Sequence, residues 1–110
     1  MNGTEKQIAW AQDIQKVVVE AIDAGLAKFV SDPRFDRSNP KMAQTIDVWE
    51  ARKAAILDCN RAKDMIDLFK DVRMDAAPID AFMQVCRTYK VYTTMVSPMT
   101  DGQMAIINAR

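Results

Sequence analysis

The sequence predicts an all-α protein, a single-domain bundle of four to five helices spanning residues 1–110, and three observations carry that expectation. An apolar period of helical length runs from Thr4 to about Val30. Two further helix starts are written in proline: Asn39 before Pro40, and Pro78 after Ala76 and Ala77. Each places the ring at the first helical position, where no backbone donor is missed. Behind both, apolar residues recur every three or four positions. At 110 residues the chain is large enough to bury one core without cross-links, with little stability to spare.

The first helix is the most regular element. With Ile8 at zero and about 100° per residue, Trp10, Ala11, Ile14, Val17, Val18, Ala21, Ile22, Leu26 and Phe29 fall on one half of the cylinder. Gln12, Asp13, Lys16, Glu20 and Asp23 take the other half. So broad an apolar face needs more than one neighbour. The helix is therefore expected at the centre, covered by the Pro40 and Pro78 helices, with Trp10 and Ile14 in the core. Thr4 and Gln7 have the spacing of a capping box, in which each side chain satisfies a backbone donor the first turn leaves free. Gly25 costs about 1 kcal/mol relative to alanine inside a helix. Leu26 and Phe29 keep the phase across it, which marks Gly25 as a close-packing point.

Residues 31–39 (SDPRFDRSN) read as a loop, broken by Pro33 and a Ser/Asp/Asn cluster. Arg34 and Arg37 flank Phe35, and Lys41 follows, a set able to contact a phosphate or a base; a helix connection anchored by one aromatic is the plainer account. From Pro40 onward, Met42, Ile46, Trp49, Ile56 and Leu57 form a narrower stripe that contains Lys53, whose charge is expected to reach outward. Met65, Leu68, Phe69 and Val72 then lie about a third of a turn or more off that stripe. The shift means either a break or kink near 58–60, with Asn60 capping a new helix, or one long helix that meets different neighbours along its length; the break is the favoured expectation. On the new helix Asn60, Asp64, Asp67, Asp71 and, if it persists, Asp75 share one side. With Lys63, Lys70 and Arg73 at its border, this stripe is either a solvated face or a surface that meets a basic groove, Asp64, Asp67, Asp71 and Asp75 being its contact residues. Carboxylates on one helix do not close a metal shell.

Beyond Pro78, Ile79, Phe82, Val85, Cys86, Tyr89, Tyr92 and Val96 share a face opposed by Asp80, Gln84, Arg87, Thr88 and Thr94. The run from Tyr89 to Val96 is rich in β-branched and aromatic residues, so propensity alone favours a strand. The period favours a helix. An α+β alternative, with a small hairpin over about 89–109 turning at Ser97–Gly102, stays open. Thr100 and Gln103 repeat the capping-box spacing ahead of Met104, Ile106 and Ile107, which predicts a short last helix.

Composition limits the chemistry. Fifteen basic and fifteen acidic residues leave a formal net charge of zero, hence no global field to attract nucleic acid or an anionic membrane. There is no histidine, so the usual general base, metal ligand and pH switch near neutrality are missing. Ser31, Ser38 and Ser97 have no base motif beside them, two cysteines do not make a closed zinc site, and the three glycines are isolated, which excludes a phosphate cradle. The expectation is a protein that is not an enzyme, with no catalytic, cofactor-binding or metal site. Cys59 and Cys86 lie in apolar helical patterns, and the N-terminal residues are polar where a signal peptide is apolar. No apolar run approaches the ~20 residues that cross a bilayer. These features lead to an expected cytoplasmic protein with free, mostly buried thiols.

Two segments carry a resemblance. Gly3-Thr4-Glu5-Lys6-Gln7-Ile8-Ala9-Trp10-Ala11, followed by Asp13-Ile14, resembles the GTxKQIxWAxxI opening of a group of small, largely uncharacterised proteins of phages, prophages and plasmids. Ala62-Lys63-Asp64-Met65-Ile66-Asp67 resembles the Ala-Lys-x-Trp-Ile-Asp segment found further along in that group, with Met65 where the pattern carries tryptophan. The resemblance implies a mobile-element origin in a bacterial host cell and brings no activity with it. Two expectations follow for function. One is a protein–protein interaction module, for instance an anti-CRISPR-like inhibitor of a host defence nuclease, consistent with balanced charge, eight methionines and the acidic stripe. The other is a nucleic-acid accessory protein acting through Arg34, Arg37, Lys41 and the Lys/Arg residues of the third helix, which neutral overall charge disfavours. Either a monomer or a homodimer fits the broad face of the first helix.

Overall fold

The computed structural model describes residues 1–94 and 98–110. Five helices follow one another in it: α1 (Glu5–Ser31), α2 (Pro40–Asp58), α3 (Ala62–Phe69), α4 (Pro78–Thr94) and α5 (Asp101–Ile107). Among the described residues there is no strand, and a single isolated bridge joins Asn2 to Arg61. The hairpin alternative does not form, since residues 89–94 complete α4 and 101–107 make α5. The expected all-α bundle is the fold. Val96 and Ser97, which the sequence reading had placed on the α4 stripe and at a turn, lie outside the described residues. No described helix is long and apolar enough to cross a membrane.

Local chemistry explains the starts. Thr4 caps α1: its hydroxyl accepts from the Gln7 backbone N–H at 3.2 Å, and Gln7 Oε1 accepts from the Thr4 N–H at 3.1 Å. Asn39 Oδ1 caps α2 by accepting from the backbone N–H groups of Lys41 and Met42. Thr100 and Gln103 form the second reciprocal box at the head of α5. The strand-prone run at the end of α4 is helical, in keeping with its apolar period. Thr93 and Thr94 donate to the carbonyls of Tyr89 and Lys90 one turn back, at 2.7 and 2.8 Å, which satisfies their hydroxyls within the helix.

The break after α2 falls where the phase change predicted it, with a different cap. Asn60 does not cap α3; Arg61 occupies that position and makes no side-chain cap bond. The free donor of the first turn goes instead to the other end of the chain: the Ala62 N–H donates to the Asn2 carbonyl at 2.9 Å, while the Asn2 N–H donates to the Asn60 carbonyl. Gly3 makes this junction possible. Its φ of +149° suits glycine, and an added Cβ would stand 3.0 Å from the Ala62 Cβ. The two segments that carry the resemblance thus meet in space, Gly3 against Ala62.

α1 is central, as expected, and packs on α3 as well as on α2 and α4. The core gathers Ile14, Val18 and Ile22 of α1, Met65 and Phe69 of α3, Val85 and Tyr89 of α4, and Ile106 of α5. Trp10 is not in it. It is 51% exposed, although Val17, at nearly the same angle two turns further along α1, packs against the core. Thr88, expected to face outward, is buried with its hydroxyl donating to the Gln84 carbonyl. α2 runs antiparallel along α1: Lys53 Nζ reaches Asp23 Oδ1 at 2.7 Å, and Gln15 Nε2 donates to the Ile56 carbonyl at 2.8 Å, satisfying an acceptor that the end of α2 leaves free. Only Ile56 of α2 is fully buried. The molecule measures 45 × 29 × 21 Å, long enough to have two distinct ends.

Candidate functional site

The open end of the bundle lies where α1 finishes, the 32–39 loop turns, and α4 begins. Gly25 sets its geometry. A Cβ there would come within 2.5–2.6 Å of the Phe82 ring, so only glycine lets α4 approach α1 this closely. Beside that contact lies a cleft of about 550 Å³, walled by Phe29, Phe35, Met42, Ile79, Phe82 and Met83. Phe29 and Phe35 meet edge to face with centroids 5.3 Å apart, which anchors the loop over the cleft. Met83 is 66% exposed, the highest value among the large apolar side chains of the described residues.

Charge around the cleft divides into paired and unpaired groups. Asp32 and Arg34 consume each other: Arg34 donates from Nε at 3.1 Å and from Nη2 at 2.9 Å, and its backbone N–H donates to Asp32 Oδ1 at 2.8 Å. These bonds to the charged form pull the Asp32 carboxyl down from 3.8 to about 2. Asp36 is likewise lowered by accepting from the Ser38 hydroxyl and backbone N–H. Lys28 on the α1 wall and Asp80 on the α4 wall also line the cleft, and neither has an ion-pair partner within 4.0 Å among the described residues.

Of the expected phosphate contacts, Arg34 is committed to Asp32, Arg37 lies over the Phe35 ring at 5.7 Å, and the exposed Lys41 stands in the first turn of α2. The aromatic anchoring of the loop, which the sequence offered as the plainer account, is present in the Phe29–Phe35 contact.

The acidic stripe needs correction. α3 ends at Phe69, so Asp71 and Asp75 leave the helix, and Asp75 pairs with Arg73 at 3.3 Å. Asp67 is exposed. Asp64 is 2% exposed and faces α5, where the Thr100 hydroxyl donates to its Oδ1 at 2.9 Å; Arg61 Nη1 stands 3.8 Å away. Gly102 passes so close to Asp64 Oδ2 that a Cβ there would overlap it. Asp64, Asp67, Asp71 and Asp75 therefore do not present one surface, and Asp64 is a clasp between α3 and α5. The spacing of three and four was real, but α3 is too short to display it and one member is recruited inward.

A second cluster escaped the sequence reading. Trp49 stacks edge to face on Phe82 at 5.0 Å and on Tyr89 at 5.4 Å. The Arg52 guanidinium lies between the Trp49 and Tyr89 rings, 4.5 and 4.2 Å from their centroids. Its Nε is buried without a hydrogen-bond partner among the described residues, and burial lowers its pKa from the ordinary value. The arrangement is a cation–π stack that pins α2 to α4. Burial also raises the thiols of Cys59 and Cys86, both only half-buried, and so leaves them weak nucleophiles. Among the described residues no three His, Cys, Asp or Glu side chains gather closely enough to hold a metal ion.

The open cleft was missed as well. Its signal was Met83, a large apolar residue off the α4 stripe and next to Phe82, which no packing partner of that helix required. Comparison with protein families, curated proteins and solved structures finds no match for this chain.

Proposed function

We propose that this chain is a small phage or mobile-element protein that acts by protein–protein contact through the α1–α4 cleft, a host defence nuclease being the first candidate partner and inhibition the expected effect. One observation carries the reading: a mostly apolar cleft of about 550 Å³ is open at one end of the bundle, with Met83 standing out of it. Exposed apolar surface of this kind marks interaction sites more often than idle surface. Aromatic and methionine side chains suit it, because their apolar area is large and the thioether adapts to an imperfect partner.

The nucleic-acid alternative has less support. Its best cation, Arg34, is spent on Asp32, and the chain carries no net charge to compensate.

The test uses tagged wild type and Met83→Glu in host lysate, with bound proteins quantified against each other. The expected result is a stoichiometric host protein retained by wild type and lost by the variant, whose activity falls on adding wild type. No stoichiometric host protein, or one held equally by both forms, removes the proposal.

A further inference from the structure

We infer that the cleft is a self-complementary surface and that its resting occupant is a second copy of this chain, docked about a two-fold axis. The inference rests on reading the cleft as a protein-docking site, and it goes on to name what covers that site before any host partner arrives.

A two-fold interface sets a strict condition: the same patch must serve both sides, so every projection needs a matching recess and every charge its opposite within one copy. The open end meets each part of it. Met83 is the projection, two-thirds exposed at the margin of the cleft. The recess is the cleft itself, walled by Phe29, Phe35 and Phe82, soft enough in shape to take an unbranched thioether. With a two-fold axis beside Met83, each copy's Met83 enters the other's cleft.

Charge gives an independent argument. The Asp32–Arg34 pair is internally neutral, so of the charged residues that line this cleft Lys28 on the α1 wall and Asp80 on the α4 wall are the two with no ion-pair partner among the described residues. A ligand of one sign would gain from one wall and lose to the other. Two-fold docking sets each Lys28 against the partner copy's Asp80, and each Asp80 against its Lys28, so both are answered twice over. Nor does long-range repulsion oppose the approach of two copies, because the chain has fifteen charges of each sign.

The experiment is sedimentation of the full chain across the micromolar range, in wild type, Met83→Glu, Lys28→Glu, Asp80→Lys and the double Lys28→Glu/Asp80→Lys form, with circular dichroism as a fold control. Met83 is mostly exposed, so its variant is expected to fold. Wild type should sediment at twice the 12.4 kDa chain mass. Met83→Glu should be monomeric with an unchanged helical spectrum. Each single charge reversal should weaken dimerisation about ten-fold or more, and the double reversal should restore it. A wild type that stays monomeric overturns the inference and leaves the cleft to a host segment or a small amphiphile. A dimer that survives Met83→Glu, or a double reversal no tighter than the singles, also overturns it, by placing the contact elsewhere. The outcome is separable from that of the functional proposal: a dimer of this design with no host partner refutes the function and keeps the inference, while a monomer that captures a nuclease does the reverse.

Discussion

At the end of the bundle where α3 and α5 meet the N-terminus, the polar groups drawn inward find partners. Asp64 accepts from Thr100, Gln103 is half of a capping box, and the Ala62 N–H reaches the Asn2 carbonyl. At the other end, where α1 gives way to the loop and α4 begins, the loop carboxylates are satisfied by their own neighbours, while Met83 is two-thirds exposed and Lys28 and Asp80 have no ion-pair partner among the described residues. Glycine operates at both ends with opposite results. Gly3 and Gly102 let backbone close onto Ala62 and Asp64, sealing the first end. Gly25 admits the Phe82 ring onto α1, and both line the cleft at the second end. A buried carboxylate is paired at one end, while at the other Met83 stands two-thirds exposed beside an apolar cleft.

The sharpest way to break that comparison is to cut into the core near the closed end. Phe69 is fully buried against Tyr89, and Phe69→Ala should cost about 3–5 kcal/mol, read as a fall in the urea midpoint. Met83→Glu should move it by no more than about 0.5 kcal/mol. Similar losses at the two sites would erase the distinction between the ends.

Asp64→Ala comes next. It removes the acceptor of the Thr100 hydroxyl from a fully enclosed position and should cost about 1–3 kcal/mol, with faster amide exchange concentrated in α5. An unaltered α5 would return Asp64 to the solvated stripe suggested by its spacing. Gly25→Ala pits a propensity gain of about 1 kcal/mol against overpacking of about 1–3 kcal/mol on the Phe82 ring. Net destabilisation by thermal melting is expected; a more stable protein would mean Phe82 moves freely and the cleft is not held open by Gly25.

Thr4→Ala removes one capping bond and should cost about 1 kcal/mol by urea titration. The smallest effect is at the loop. Because folding holds the Asp32 carboxyl at about 2 rather than 3.8, its contribution is present above 3.8 and is lost as pH falls through about 2. A carboxyl resonance of Asp32 should titrate near 2, and Arg34→Ala should return it toward 3.8 with little change in global stability, since the pair is exposed.

Much of the fold was legible because it is local. Both capping boxes, both proline starts and the phase slip after Leu57 concern residues within one or two turns of each other, and a helical period survives without knowledge of its neighbours. The candidate site was not legible in the same way. Asp64 and Asp67 have the same local spacing and the same side chain, yet one is buried and the other exposed, because α5 arrives from 36 residues downstream to cover only the first. Trp10 shows the same limit: its angle on the wheel is nearly that of Val17, yet Val17 packs against the core and Trp10 is half exposed.

The sequence by itself determined an all-α chain, the starts of α1, α2, α4 and α5, the break before α3, and a balance of charge without histidine. Periodicity and capping are short-range, and composition needs no structure at all. Only the tertiary structure decided which carboxylate is buried, that Asn2 completes the head of α3, and that Gly25 and Phe82 leave an apolar cleft beside Lys28 and Asp80. Each of these joins residues far apart in the chain. Which of two identical side chains is covered depends on where a distant helix lands, and that is set by the packing of the whole core rather than by any stretch of sequence.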